Sequence, residues 1–302
     1  MAPNETRKPA RPVTLPRPAP SNDHEPIMER PMDITMDAVR RAVDGDKAAL
    51  EEILGRLERP FHNLAVRMAI RPQDAEDATQ ECLIRVATRL AQFDGRARFT
   101  TWAWKVAVRC ILDFREGMLR KPLTTFEKFG ADLAVGLDME APERTEDMVD
   151  LGELKMRCGR ALLQCLDGDH RVAFVLGEIL EFEGPEAAEI LEVDAATFRK
   201  RLSRARERLQ QALGTSCGLV NPDAPCRCHR RLGRARQLGR IPPRPTTERP
   251  LDVRALRERL AGIEVAVRAA QYYRADPSSV PGRDLLRAAL EPFSTRLPGG
   301  RP

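Results

Sequence analysis

Apolar residues in this sequence recur every three or four positions and nowhere settle into the alternation of a strand. Leu50, Ile53, Leu54, Leu57, Phe61, Leu64 and Met68 form the first such series, and Ala75, Ala78, Cys82, Leu83, Val86 and Leu90 the second. A third runs through Leu162, Leu163, Cys165, Leu166, Val172, Val175, Leu176 and Ile179, and a fourth through Phe198, Leu202, Ala205 and Leu209. A period near 3.6 places each series along one side of a helix. The chain is therefore expected to be all-α. Aromatic residues are 5% and charged residues 31% of the 302 positions, a balance that favours several small helical units over one large core. No GxGxxG, P-loop or HExxH pattern occurs, and the four histidines form no evident catalytic set, so no enzyme is expected.

Changes of composition divide the chain. Residues 1–31 hold eight prolines and read as a disordered leader. The first helical unit is expected over 32–120 and the second over 154–213, joined by a flexible acidic linker at 121–153. Between Phe126 and Leu154 nine acids face two bases, whereas from Gly214 onward seventeen arginines face eight acids. Such an asymmetry suits either polyanion binding or an intramolecular clasp. Residues 214–245 form a basic, cysteine-containing loop. Residues 246–302 carry Val253, Leu256, Leu260, Ile263 and Val267 and are expected to form a small helical tail. No apolar run approaches the roughly 20 residues of a membrane span or resembles a signal peptide. A cytoplasmic protein with reduced thiols and no membrane contact is the expectation.

Three segments carry recognition chemistry. In "RPQDAEDATQECLIRVATRL" Pro72 marks the boundary and Asp74 is the expected cap of the helix that follows. Its polar side presents Asp77, Gln80 and Glu81 together with Ile84, an ordinary surface pattern or the apolar centre of a docking face. "FDGRARFTTWAWKVAVRCILDFRE" holds both tryptophans, Trp102 and Trp104, among Arg96, Arg98, Lys105, Arg109 and Arg115. Residues two apart on a helix lie about 200° apart, so both rings cannot share one buried face. Aromatics among cations form a surface on which unstacked bases can sit. "FEGPEAAEILEVDAATFRKRLSRARERLQQAL" reads as two helices around a tight turn, with Pro185 in the first turn and Asp194 as the second cap. Thr197, Arg199, Lys200, Arg201, Ser203, Arg204, Arg206 and Arg208 face outward with one acid, Glu207. A helix so charged suits a major groove better than a merely solvated surface.

These segments, in this order, resemble the extracytoplasmic-function (ECF) group of bacterial sigma factors, within the sigma-70 family. "DAEDATQECLIRVATRLAQFDGRARFTTWAWKVAVRCILDFRE" resembles region two and "DHRVAFVLGEILEFEGPEAAEILEVDAATFRKRLSRARERL" region four; the likeness spans roughly 37–213. It implies an initiation factor that binds core RNA polymerase, recognises minus-10 and minus-35 promoter elements and starts transcription. It assigns Asp77, Gln80, Glu81 and Ile84 to polymerase, through the beta-prime subunit, with beta a further contact. Trp102, Trp104, Lys105, Arg109 and Asp113 fall to the minus-10 strand, and Thr197, Arg199, Lys200, Arg201 and Arg204 to the minus-35 duplex. The acidic linker suits a path near the RNA exit channel. Glu192 stands in the region-four turn where the family commonly has Gly, so the turn must avoid a positive φ or accept strain. Candidate regulators are an anti-sigma factor, or the C-terminal tail acting in its place. The alternative is a stand-alone helix-turn-helix repressor that answers to metal or redox state.

Cys217, Cys226 and Cys228, with His229, remain outside that likeness. Their C-x8-C-x-C spacing suits zinc or copper, held for structure or for sensing; no cofactor is otherwise required. Unligated redox thiols and a plain turn are the other readings. Cys82, Cys110, Cys158 and Cys165 are expected to be small core residues.

Overall fold

A computed structural model describes residues 34–241, except 70, 118–120, 143, 145 and 146. The leader and the tail expected at 246–302 lie outside the described residues. The described chain is helical, and its only extended pairing is an isolated bridge between Cys217 and Cys226.

The first unit comprises α1 (Met36–Val43), α2 (Lys47–Met68), α3 (Pro72–Arg89) and α4 (Phe99–Gly117). Thr35 and Asp46 cap α1 and α2 by accepting hydrogen bonds from the first-turn amides. Every apolar residue of the first series is buried in α2, which runs unbroken through Pro60. At α3 the expected cap is corrected. Pro72 is already helical and Arg71 is the cap residue, which leaves Asp74 at the third helical position. There its carboxylate is buried and paired with Arg71, Nε to Oδ2 at 2.7 Å. Proline's fixed φ suits the first turn, and the helix therefore starts three residues before the point that a cap at Asp74 would set.

The connector is also more ordered than its composition suggests. α5 (Phe126–Ala134), capped by Thr125, buries Phe129 and Leu133 and packs against α6 and α9. Two apolar residues four apart among acids are too few for a periodic signal, yet enough to dock one short helix. α6 (Met148–Leu163), α7 (Gly168–Phe174), a π turn at Val175–Ile179, α8 (Gly184–Ile190) and α9 (Ala195–Ser216) follow. Asp194 caps α9, accepting from the Thr197 amide at 2.8 Å, and Phe198, Leu202, Ala205 and Leu209 are buried as a set. The α8–α9 turn accepts the strain: Glu192 has φ +55°, a left-handed conformation costing a non-glycine residue about 1 kcal/mol.

Arg171 joins the two units. Fully buried, it donates to the carbonyls of Leu163 (3.0 Å), Leu166 (2.7 Å) and, across 103 positions, Met68 (2.8 Å). Burial lowers its pKa to about 10. Gln164 donates to Arg67 O at 3.3 Å, so the carbonyls orphaned at the end of α2 find donors in the second unit.

α10 (Cys228–Gln237) folds back on the connector and α6. Arg231 and Arg240 pair with Asp132 at 2.9 and 2.5 Å, and Arg236 with Asp147 and Asp150 at 2.7 and 2.5 Å. The charge asymmetry of the sequence thus resolves, in part, as an intramolecular clasp.

Candidate nucleic-acid interface

On α3 the spacing i, i+3, i+4, i+7 brings Asp77, Gln80, Glu81 and Ile84 to one side, all half-buried. Glu81 pairs with Arg85, and Ile84 rests against the core of the first unit. The face is therefore acidic, with an apolar residue firmly seated at its end.

The two tryptophans separate as their angular spacing requires. Trp104 is only 2% exposed and meets Phe61 edge-on at 5.5 Å and Phe182 of the second unit at 5.3 Å. Its expected role as a base-stacking surface is corrected for this arrangement, because both flanks of the ring are covered. Trp102 is half-buried, in a cluster with Phe93 and Phe99 at 5.6 Å from each.

Along α4, Thr101, Lys105 and Arg109 form a ladder at i, i+4 and i+8. Facing it, α8 and the turn after it present Glu186, Glu189 and Glu192. Thr101 Oγ1 donates to Glu186 at 3.4 Å, Lys105 pairs with Glu189 at 3.0 Å, and Arg109 pairs with Glu192 at 2.5 Å. The cations assigned to the minus-10 strand thus already hold carboxylates. Sequence reasoning missed this role: Glu186 and Glu189 look like ordinary solvated positions on a short helix, and Glu192 stood out only for its place in the turn. Asp113 is exposed at the far end of α4.

On α9 Glu207 is not the only acid that meets the basic surface, as its local sequence would suggest. Arg201 pairs with Asp169 at 2.9 Å, Arg208 with Asp167 at 3.5 Å, and Arg206 with Glu178. These acids come from α7, its cap residue and the π turn, sites remote in sequence. Thr197 is half-buried beside its cap, its hydroxyl 2.6 Å from Asp194, whose carboxyl is held low first by that hydrogen bond. Arg199, Lys200 and Arg204 are exposed and make no ion pair among the described residues. They form a compact cationic patch at the amino-terminal half of the helix, the part that enters a groove in helix-turn-helix proteins.

Three of the four candidate thiol-site residues, Cys217, Cys226 and Cys228, line one cavity. His229 does not, because neighbouring positions at the start of α10 point about 100° apart. Cys158 of α6 lines the cavity instead, half-buried. Cys82, Cys110 and Cys165 are buried, as expected of core residues.

Comparison with known proteins agrees with this division. The family model for sigma-70 region 2 matches residues 53–118, and that for sigma-70 region 4 matches residues 157–209. The chain is similar to the RNA polymerase sigma-H factor of Pseudomonas aeruginosa, 28% identical over 181 residues, covering 58% of this chain and 91% of that protein. It is similar also to the ECF sigma factor SigW of Bacillus subtilis, 28% identical over 182 residues, covering 58% and 94%. Among solved structures, that of CnrH with the cytosolic domain of CnrY matches at 20% identity and TM-score 0.44, covering 60% of this chain and 97% of that one. The alternative of a repressor acting through one helix-turn-helix is not favoured, since it leaves the region-two match without a role. No described helix is long and apolar enough to cross a membrane. With region two built on α2–α4, region four on α6–α9 and ECF relatives aligned along both, the chain belongs to the ECF group of the sigma-70 family and directs core RNA polymerase to promoters to initiate transcription.

Proposed function

We propose that the described arrangement is a closed form of the initiation factor, in which region four shields the minus-10 surface of region two. The observation that carries this reading is the acidic ladder of α8 seated on Thr101, Lys105 and Arg109. Carboxylates spaced along one face offer those cations the kind of partner that strand phosphates would. In the open form Lys105 and Arg109 would turn to the minus-10 strand, with Trp102 and Asp113 beside it. Opening also uncovers the Phe182 side of Trp104.

The opening force would come from the polymerase. Asp77, Gln80, Glu81 and Ile84 are the proposed beta-prime contact, and their half-exposed placement on one side of α3 supports that role. Arg199, Lys200 and Arg204 are proposed to grip the minus-35 duplex, and they stand uncovered while Arg201 is turned back to Asp169. The clasp of α10 on Asp132, Asp147 and Asp150 occupies carboxylates that were expected near the RNA exit path. Regulation by the chain's own C-terminal segment fits that contact without requiring a separate anti-sigma factor.

The test compares the full chain with the triple variant Glu186→Gln, Glu189→Gln, Glu192→Gln. Two exposed ion pairs and a hydrogen bond at roughly 0.5 kcal/mol each hold about 1.5 kcal/mol of closure. Affinity of the polymerase-free variant for a single-stranded minus-10 oligonucleotide should rise by about tenfold. Run-off transcription with purified core polymerase should persist in both proteins. An unchanged oligonucleotide affinity would remove the closed-form reading.

A further inference from the structure

A cavity of 680 Å³ lies where the connector, region four and the C-terminal loop meet. Small-molecule sites typically measure about 300–1,000 Å³ and are walled mainly by apolar side chains. Here α5 contributes Phe129, α6 Leu154 and Leu162, α9 Leu213 and α10 Ala235. Leu219 and Val220 of the loop complete the wall, and Leu219 remains 43% exposed. Among the described residues no three His, Cys, Asp or Glu side chains stand where they could hold a metal ion. The cysteines of the cavity serve as wall. Burial raises Cys226 to about 11 and Cys228 to about 12, and raises Cys158 further, so at neutral pH these thiols are protonated and present apolar surface.

The charged part of the lining is almost all of one sign. Lys128, Lys155, Arg157, Arg160, Arg231 and Arg240 line the cavity against a single acid, Asp132. Arg231 and Arg240 share that one carboxylate, which leaves their group with an excess of positive charge. Lys128 is exposed and makes no ion pair among the described residues. The loop that closes the cavity is held by its own hydrogen bonds. Asn221 Nδ2 donates to Gly214 O at 2.7 Å, and Arg227 donates to Ala224 O at 2.6 Å and also to Pro222 O. At Gly218 a Cβ would lie 1.4 Å from Arg227 Nη1 and 2.7 Å from Cys226 O, so glycine alone permits this closure.

We propose that this cavity binds a small amphipathic acid, an apolar body carrying a carboxylate, and that the bound acid braces α10 against the connector and α6. This goes beyond the promoter reading and does not depend on it. The apolar wall removes the body of such a ligand from water, and the cations replace water around its head. A neutral ligand of the same shape gains only the first of these, and a cation meets repulsion. The brace has a purpose. Besides its ion pairs, α10 is held by a cluster of only Leu151, Leu154, Leu232, Ala235 and Ile241, with Cys228 at its edge. A molecule in the cavity touches α5, α6 and α10 at once and adds apolar contact that this small cluster lacks.

The experiment uses the full chain. The reporter is anilinonaphthalene sulfonate, an aromatic body with one anionic group, and the competitors are decanoate and its uncharged counterpart decanol. Saturable binding of one reporter per chain is expected, with decanoate displacing it at lower concentration than decanol. Lys128→Gln combined with Lys155→Gln should weaken decanoate by about fivefold and leave decanol unchanged. Val220→Trp fills the cavity and should abolish binding of both. Because that variant could fail to fold, hydrogen exchange of the unmutated chain is compared with and without decanoate. Exchange should slow in α6 and α10 and stay the same in α2. Absence of saturable binding to the full chain would leave the cavity to another occupant, such as residues beyond 241, and overturn the proposal. Equal displacement by decanoate and decanol, decanoate affinity unmoved by the lysine pair, binding that survives Val220→Trp, or protection that spares α10 would each overturn it too. None of these readouts involves polymerase or DNA, so failure here leaves the promoter reading standing.

Discussion

At the scale of single residues, the basic surface of α9 sorts into two kinds of cation. Arg201, Arg206 and Arg208 hold acids from α7, its cap residue and the π turn, whereas Arg199, Lys200 and Arg204 do not. A cation that meets a DNA phosphate releases a counterion, so its loss flattens the log–log dependence of affinity on salt by about one. Arg199→Ala in the reconstituted holoenzyme should show that change on minus-35 duplex DNA, and Arg201→Ala should show less. Equal slopes for wild type and Arg199→Ala would take Arg199 out of the footprint. The sequence displayed every one of these cations, but the acids that separate them lie 28 to 41 positions upstream in sequence, beyond the reach of any local pattern.

At the scale of elements, the helix-turn-helix depends on one close approach. A Cβ on Gly177, in the π turn, would stand 2.9 Å from Leu202 Cδ2 and 3.3 Å from Phe198 Cζ. Leu202 and Phe198 are themselves buried, so they have little room to yield. Gly177→Ala should therefore cost about 1–3 kcal/mol by overpacking. It should lower the melting temperature and weaken minus-35 binding together. A melting temperature equal to that of the wild type would mean that α9 does not seat against this turn. Helix identity and the buried side of α9 were legible from period alone. Two features were not: the helix within the acidic connector, because Phe129 and Leu133 give too short an apolar signal, and the early start of α3, because the fixed φ of Pro72 suits it to the first turn better than a cap at Asp74 would allow.

At the scale of the molecule, electrostatic closure appears twice: α8 on α4, and α10 on the connector. Asp132 is the hub of the second contact, its carboxyl held below the ordinary value of 3.8 chiefly by hydrogen bonding to Arg240, with Arg231 adding to it. A carboxyl lowered by folding stabilises the fold above its unfolded pKa and ceases to do so as the pH falls through the folded one. The stability difference between wild type and Asp132→Asn should therefore be full at about pH 6 and shrink as the pH drops below about 4. Hydrogen exchange of the α10 amides should accelerate over that same acidic range. A difference that stays constant from neutral pH into acid would show that the clasp does not rest on this carboxylate.

By itself, the sequence determined the all-α class, the inward sides of α2, α3 and α9, the order of two nucleic-acid-binding units and the residue types each presents. These follow from local periodicity and capping, which depend on neighbours only a few positions away. Tertiary structure alone decided which of those residues are already engaged: Trp104 between Phe61 and Phe182, Arg109 against Glu192, Arg171 on the carbonyl of Met68, and Cys158 beside the cysteines of the terminal loop. Each of these contacts joins positions far apart in the chain, and a pairing of that kind arises only when packing brings two helices to the same place.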